Sequence, residues 1–283
     1  MAIQATSSIY IAKSVSDAVS ALTDQGPSAE LFAGGTWIMR APLRQEKERH
    51  SYVALSKLPE LSVITVSENE ISIGSCVTHA ELAEALDGLP DMHVLVTAAA
   101  KSANPAIRRV ATVGGNLSTV KFSAADLVPA MLCLEAEAEF MSEAGIERMP
   151  LGDYLHRPAG AARVMTRVIL PRSEALSAHA RLPLRKAGDY PVAIVSIAVA
   201  RRADGLIAAA RVAVGSVENV ARRWQTLESA MSGLALDPHL IAGRAAELLG
   251  DFRARDGIEA DGWYRLKVLP TLVRRALETI TQQ

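Results

Sequence analysis

Hydrophobic positions along the chain fall into short blocks whose period changes from place to place. Ile9 to Ile11 forms an apolar strand pattern, and Ser14 with Asp17 three residues later then marks the start of a helix over Ser16 to Thr23. Gly26-Pro27 turns the chain into Leu31-Phe32-Ala33, a second strand that ends on Gly34-Gly35-Thr36. Tyr52 to Leu55 and Ile64 to Val66 carry strand composition, and Glu70 to Gly74 alternates apolar with polar, so this region predicts a meander of short strands. Thr78 and Glu81 make a second capping pattern ahead of a helix to Leu86, and an Ala/Val-rich helix runs from Met92 to Ser102, stopped by Asn104-Pro105.

Val110 to Val113 then reads as a strand entering Gly114-Gly115, followed by an apolar helix or strand from Leu127 to Leu134 and strands at Ala136 to Phe140 and Arg163 to Leu170. Pro171-Arg172-Ser173-Glu174 is polar and turn-prone, which places a domain boundary there. Beyond it come strands at Val192 to Arg201 and Ile207 to Val214, then helices over Arg222 to Met231, Pro238 to Leu249 and Tyr264 to Thr279. Strands first and helices last, without regular alternation, predict an α+β fold with a first domain over 1–172, divided near 57 and 58, and a smaller α+β domain over 177–283.

Composition narrows the function. The chain has 283 residues, 49% of them hydrophobic, enough for two cores. Thirty basic and 31 acidic residues leave a formal charge of −1, which argues against nucleic acid or anionic lipid as partners. Met1 to Tyr10 lacks the basic and apolar regions of a leader, and no stretch reaches the length of a membrane span, so a cytoplasmic protein is expected. Cys76 and Cys133 lie in separate apolar segments and read as buried thiols; two cysteines fall short of the four ligands of an iron–sulfur cluster. The six histidines show no metal-ligand spacing, and His79, just after a helix cap, reads as a surface or packing residue.

The candidate chemistry lies in two segments, Leu31-Phe32-Ala33-Gly34-Gly35-Thr36 and Ala111-Thr112-Val113-Gly114-Gly115-Asn116. Glycine permits positive φ and close backbone approach, so successive amides can converge on an anion such as a pyrophosphate. Each Gly-Gly taken alone reads more readily as a tight turn. Neither segment fits G-x-G-x-x-G, and neither supplies a phosphate-binding Gly-Lys-Ser/Thr, which excludes the Rossmann and P-loop readings.

Taken together, the segments resemble the FAD-binding subunits of molybdenum hydroxylases, the xanthine dehydrogenase and carbon monoxide dehydrogenase family. The likeness rests on the Ala-Gly-Gly-Thr loop at 33–36 and on Ile107-Arg108 leading to Thr112-Val113-Gly114-Gly115-Asn116. It continues through Ile73-Gly74 with Thr78, Asp126-Leu127-Val128-Pro129, and the closing Tyr264-Arg265 and Arg274-Arg275-Ala276-Leu277. The resemblance implies a two-part FAD domain of the vanillyl-alcohol-oxidase-like type. It also implies pyrophosphate binding by Ala33, Gly34, Gly35, Thr36 and Trp37 and by Ala111, Thr112, Gly114, Gly115 and Asn116, with Ile107 packed on the cofactor, Asp126 accepting from the ribityl or nearby flavin groups, and Thr119 and Lys186 near the flavin. Lys186 and Asp189 read better as a solvated turn, and adjacent Arg108 and Arg109, which could border an entry for an anionic electron acceptor such as NAD, read as ordinary surface charge. Trp37, where relatives carry a polar residue, and a loop at 117–123 longer by one residue depart from the family pattern.

The implied role is electron relay. A large partner subunit would carry the molybdenum cofactor, a small one two 2Fe-2S clusters, and two heterotrimers would pair, with no catalytic acid or base on this chain. A self-contained flavin oxidase and a flavin-free scaffold subunit are the alternatives; a content of 4% aromatic residues offers little to line a separate substrate pocket.

Overall fold

The computed structural model describes residues 8–46, 49, 51–119, 122–157, 162–184, 190–257 and 259–283. Three sheets organise it. The first is parallel: β1 (Ser8–Ile11), followed by helix α1 (Val15–Gln25), then β2 (Ala29–Phe32) and β3 (Ser51–Ala54), in the order β1-β3-β2. Ser14 Oγ accepts from the Asp17 amide at 3.0 Å, the expected cap, and α1 buries Ala18, Val19 and Leu22 against Val53 and Leu55.

The second sheet has five antiparallel strands in the order β4-β5-β8-β6-β7, namely β4 (Ile64–Val66), β5 (Glu70–Gly74), β6 (Glu137–Ser142), β7 (Gly145–Pro150) and β8 (Arg163–Pro171). Helices α2 (His79–Ala85), α3 (His93–Lys101), α4 (Pro105–Arg108), α5 (Val113–Ser118), α6 (Leu127–Cys133) and α7 (Leu151–His156) belong to this part of the chain. Its core joins Ile71, Leu82, Leu95, Leu127, Met131 and Val168, all without solvent exposure.

The third sheet, β9 (Leu176–Pro183), β10 (Pro191–Arg201), β11 (Ile207–Gly215) and β12 (Arg222–Arg223), is antiparallel in the order β12-β11-β10-β9. Helices α8 (Gln225–Met231), α9 (Pro238–Glu247) and α10 (Gly262–Thr281) complete it. Residues of one parity on β10 (Val195, Ile197, Val199) pack with Leu269, Leu272, Val273 and Leu277 of α10, while Ala198, of the other parity, joins the second core. The third sheet is therefore buried on both faces, which explains the nearly unbroken apolar run of β10.

Four expectations need correction. The meander fails, because β3 pairs in parallel with β1 and β2 in a sheet separate from β4 and β5; parallel pairing needs a crossover, here α1, between β1 and β2. Val113 to Ser118 is a helix, so Gly114 and Gly115 stand in a helical first turn and not in a loop after a strand. Arg222 and Arg223 form an edge strand, and the helix expected from Arg222 begins at Gln225. The strand β9, absent from the sequence reading, follows the 171–174 turn directly. Among the described residues no helix is long and apolar enough to cross a membrane.

Candidate flavin-binding site

All three strands of the parallel sheet end at one edge, with Ile11, Ala54 and Phe32 as its last residues, and β2 runs from there into Gly34-Gly35. Gly35 has φ +67°, a conformation that costs other residues roughly 1–2 kcal/mol, and its carbonyl accepts from the Met39 amide at 2.9 Å to close the turn. Among the described residues, the amides of Gly34, Gly35, Thr36 and Trp37 meet no hydrogen-bond acceptor. Four successive donors without an acceptor among the described residues, around a left-handed residue, supply what a backbone anion nest requires.

The segment at 111–116 is tied down in a different way. Thr112 caps α5, its Oγ1 accepting from the Gly115 amide at 3.2 Å, while the Val113 amide donates to the Val77 carbonyl and the Gly114 amide to the Ser75 carbonyl at 2.7 Å. The Asn116 amide closes on Thr112 O, so the four amides from Val113 to Asn116 are all taken by the protein. Two contacts explain why glycine stands at 34 and 114. A Cβ on Gly34 would lie 1.7 Å from the Val110 carbonyl oxygen, and one on Gly114 would lie 2.9 Å from Ser75. The two glycine segments thus touch each other, 76 residues apart in sequence.

Around this contact the structure gathers most of the residues expected at the site. Ile107, half-buried in α4 and held by the Asn104 cap, offers its carbonyl to Val110 and Ala111. The carbonyl of Ala111 accepts from the His79 amide. Thr119 turns its hydroxyl back on the Gly115 carbonyl at 2.5 Å, and Asn116 Oδ1 accepts from the Leu127 amide at 3.3 Å. Trp37 packs against Phe122 with the rings tilted by 41° and 4.6 Å between centroids, and Phe122 meets Tyr190 edge-on at 5.4 Å. Arg44 lies over the Trp37 ring at 3.9 Å, and Arg40 donates to the Tyr190 hydroxyl. Arg108 donates to the carbonyls of Ser102 and Ala103, which gives it a local structural role. Lys186 and Asp189 lie outside the described residues.

Asp126 precedes α6 without capping it. Its buried carboxylate accepts from Arg181 Nε at 2.8 Å, and His179 Nε2 lies 3.5 Å away. His79 is buried under the second segment, not on the surface. Ser102 Oγ donates to the Ala99 carbonyl, so it accepts from His79 Nδ1 at 2.6 Å, and Nε2 has no partner at hydrogen-bond distance among the described residues. Burial pushes the His79 imidazole pKa down to about 4, against the opposing pull of Asp126 and of the Thr112 carbonyl. The thiols expected to be buried are so, and burial raises them to about 11 for Cys76 and about 12 for Cys133. The sequence reading missed Phe122, Tyr190, His179 and Arg181, whose places depend on the packing of the third sheet.

Residues 4–173 match the family described as the FAD binding domain in molybdopterin dehydrogenase. The chain belongs to this family. Residues 179–280 match the CO dehydrogenase flavoprotein C-terminal domain, completing the two-module makeup of an FAD-binding subunit of the molybdenum hydroxylase type. The putative xanthine dehydrogenase FAD-binding subunit of Escherichia coli K12 is 27% identical over 281 residues, spanning 95% of this chain and 94% of that protein. The alpha subunit of the 6-hydroxypseudooxynicotine dehydrogenase complex of Paenarthrobacter nicotinovorans is 28% identical over 272 residues, 94% of this chain and 92% of its own. Among solved structures, quinoline 2-oxidoreductase from Pseudomonas putida 86 superposes with TM-score 0.87 at 25% identity over 100% of this chain and 99% of its own. Carbon monoxide dehydrogenase from Hydrogenophaga pseudoflava shares the fold, with TM-score 0.88 at 23% identity over 99% of both chains.

Membership in the family makes FAD the resident cofactor of this chain, and the nest at 34–37 fits it: unpaired amides, a glycine with no room for a Cβ, and a threonine hydroxyl beside them. Among the described residues, no group of three or more His, Cys, Asp or Glu could hold a metal ion.

Proposed function

We propose that this subunit passes electrons from 2Fe-2S clusters on a small partner through FAD to a terminal acceptor, within a complex whose large subunit oxidises an organic substrate at a molybdenum cofactor. The observation that carries the reading is the nest of unpaired amides at Gly34 to Trp37, pressed against the second glycine segment in a chain with only two cysteines, both buried and unable to hold the clusters themselves. When bound, the flavin supplies the redox chemistry; the chain binds, orients and shields it.

In this reading the amides of Gly34, Gly35, Thr36 and Trp37 and the Thr36 hydroxyl hold the pyrophosphate. The segment Ala111, Thr112, Gly114, Gly115 and Asn116 forms the opposite wall more through backbone shape than through donated amides, since the amides of Ala111, Gly114, Gly115 and Asn116 are taken. Ile107, Thr119, Asp126 and Lys186 complete the site. A two-part flavin domain of the vanillyl-alcohol-oxidase-like type over 1–172, a second domain over 177–283, paired heterotrimers and a cytoplasmic location belong to the same proposal.

Anaerobic mixing tests it, with xanthine, nicotinate, carbon monoxide and an aldehyde as probes. The flavin of the purified complex should bleach with the probe that its molybdenum subunit accepts, and the isolated chain with none. Full bleaching of the isolated chain would make it a self-contained oxidase.

A further inference from the structure

The Asp126 carboxylate stands just before α6, and the group that holds it comes from β9 of the third sheet. Arg181 of β9 donates through Nε to Oδ1 at 2.8 Å and through Nη2 to Oδ2 at 3.4 Å, and its Nη1 reaches on to the Lys101 carbonyl at the end of α3. His179, two residues earlier and on the same face of β9, holds its ring by an Nδ1 contact to Ser196 Oγ at 2.9 Å and turns Nε2 toward the same carboxylate. The side chains of Arg181 and Asp126 are 7% and 6% exposed.

This pair has no packing reason to be ionic. A buried ion pair gains little over apolar side chains of equal volume, and two apolar cores already join the third sheet to α6 on one face and to α10 on the other. What the pair does provide is direction. The contact to Oδ1 is short and the one to Oδ2 long, so Arg181 fixes the carboxylate plane while Oδ2 retains acceptor capacity. The next residue, Leu127, donates its amide to Asn116 Oδ1, so the stretch that Arg181 holds is also bonded to the second glycine segment.

We propose that Arg181 is a positioning residue for the flavin: it sets the orientation of the Asp126 carboxylate and, through Leu127, the place of Asn116, without touching the cofactor itself. This rests on the flavin site of the proposed function. It makes the C-terminal domain a condition for tight flavin binding, because Arg181 lies in the region matched to that domain.

The test uses the full chain purified with its natural partners and stripped of flavin, and reads FAD affinity by fluorescence titration beside the urea unfolding midpoint of the stripped protein. Arg181→Met should weaken FAD binding at least tenfold, with Arg181→Lys restoring part of it, and adding Asp126→Asn to Arg181→Met should weaken it by less than a further twofold. Because Arg181→Met leaves a buried carboxylate unpaired and can impair folding, the double variant Asp126→Asn with Arg181→Gln, which removes both charges, is measured as well and should also bind at least tenfold more weakly. FAD affinity within twofold of wild type in that double variant, or a lowered midpoint in Arg181→Met with unchanged affinity, would reduce the pair to a structural weld and overturn the proposal. A wild-type protein that takes up no FAD would overturn the flavin site and this inference together.

Discussion

The α-carbon of Gly34 lies against the carbonyl oxygen of Val110, so close that a Cβ would come within 1.7 Å of it. This contact brings together two segments 76 residues apart in sequence. A backbone carbonyl cannot swing aside as a side chain can, so Gly34→Ala must push the loops apart, at a cost of about 1–3 kcal/mol. It is expected to lose most bound flavin, read as visible absorbance per chain. Gly115→Ala, whose Cβ would meet only Thr112 Oγ1 at 2.9 Å, should keep more flavin than Gly34→Ala. Equal flavin in wild type and Gly34→Ala would show that the contact is not needed.

Gly35 makes a different demand. With φ +67° and the Phe32 ring 2.7 Å from a built Cβ, Gly35→Ala should lower stability by about 1–2 kcal/mol and weaken flavin binding. Urea unfolding with a parallel flavin titration checks both. An alanine variant that is as stable as wild type and binds FAD as tightly would remove the left-handed turn from the account of the site.

Thr112 caps α5 through Gly115, and α5 is only six residues long. Thr112→Val keeps the shape but removes the acceptor, and should cost about 1 kcal/mol, whereas Thr112→Ser should cost much less. Equal urea midpoints for the two variants would show that the hydroxyl is not what holds the helix.

His79 gives the fold a pH dependence. Its folded pKa is about 4 against an ordinary 6.5, so between these values the unfolded chain binds a proton that the folded chain refuses. Stability should therefore be unaffected by His79 above about pH 6.5, fall as the pH drops toward 4, and lose nothing further to this group below that. The full difference is about 3 kcal/mol at 1.36 kcal/mol per pKa unit. Unfolding free energies at pH 7.5 and 4.5 should differ less in His79→Asn than in wild type; equal pH slopes would contradict the burial effect.

Local signals were the legible ones. The caps at Ser14 and Thr78 form as read because both partners lie within one turn of the helix they start. The boundary of β5 follows from an equally local rule, whereas α3 stops at Lys101, before Asn104-Pro105, which instead opens α4. Sheet partners were not legible: nothing near Tyr52 says that it pairs with Ile9 in parallel and not with the strand that follows. Strand β9 escaped because Leu-Ser-Ala-His-Ala-Arg-Leu-Pro has no β-branched residue and is a strand by virtue of its place beside β10. With β9 unseen, the places of Arg181 and His179 were unseen too, and Asp126 read as a cofactor ligand with no protein partner. The second glycine pair misled in another way, since Gly-Gly is a poor helix former and here stands in a helix because Thr112 and the carbonyls of Ser75 and Val77 hold its first turn.

The most direct measurement is the identity and amount of cofactor released from the purified protein by heat or acid, separated against FMN and FAD standards. The expected result is one FAD per chain, held non-covalently. A colourless protein that stays so when supplied with FAD, or one that releases FMN, would contradict the assignment of the two glycine segments to the cofactor.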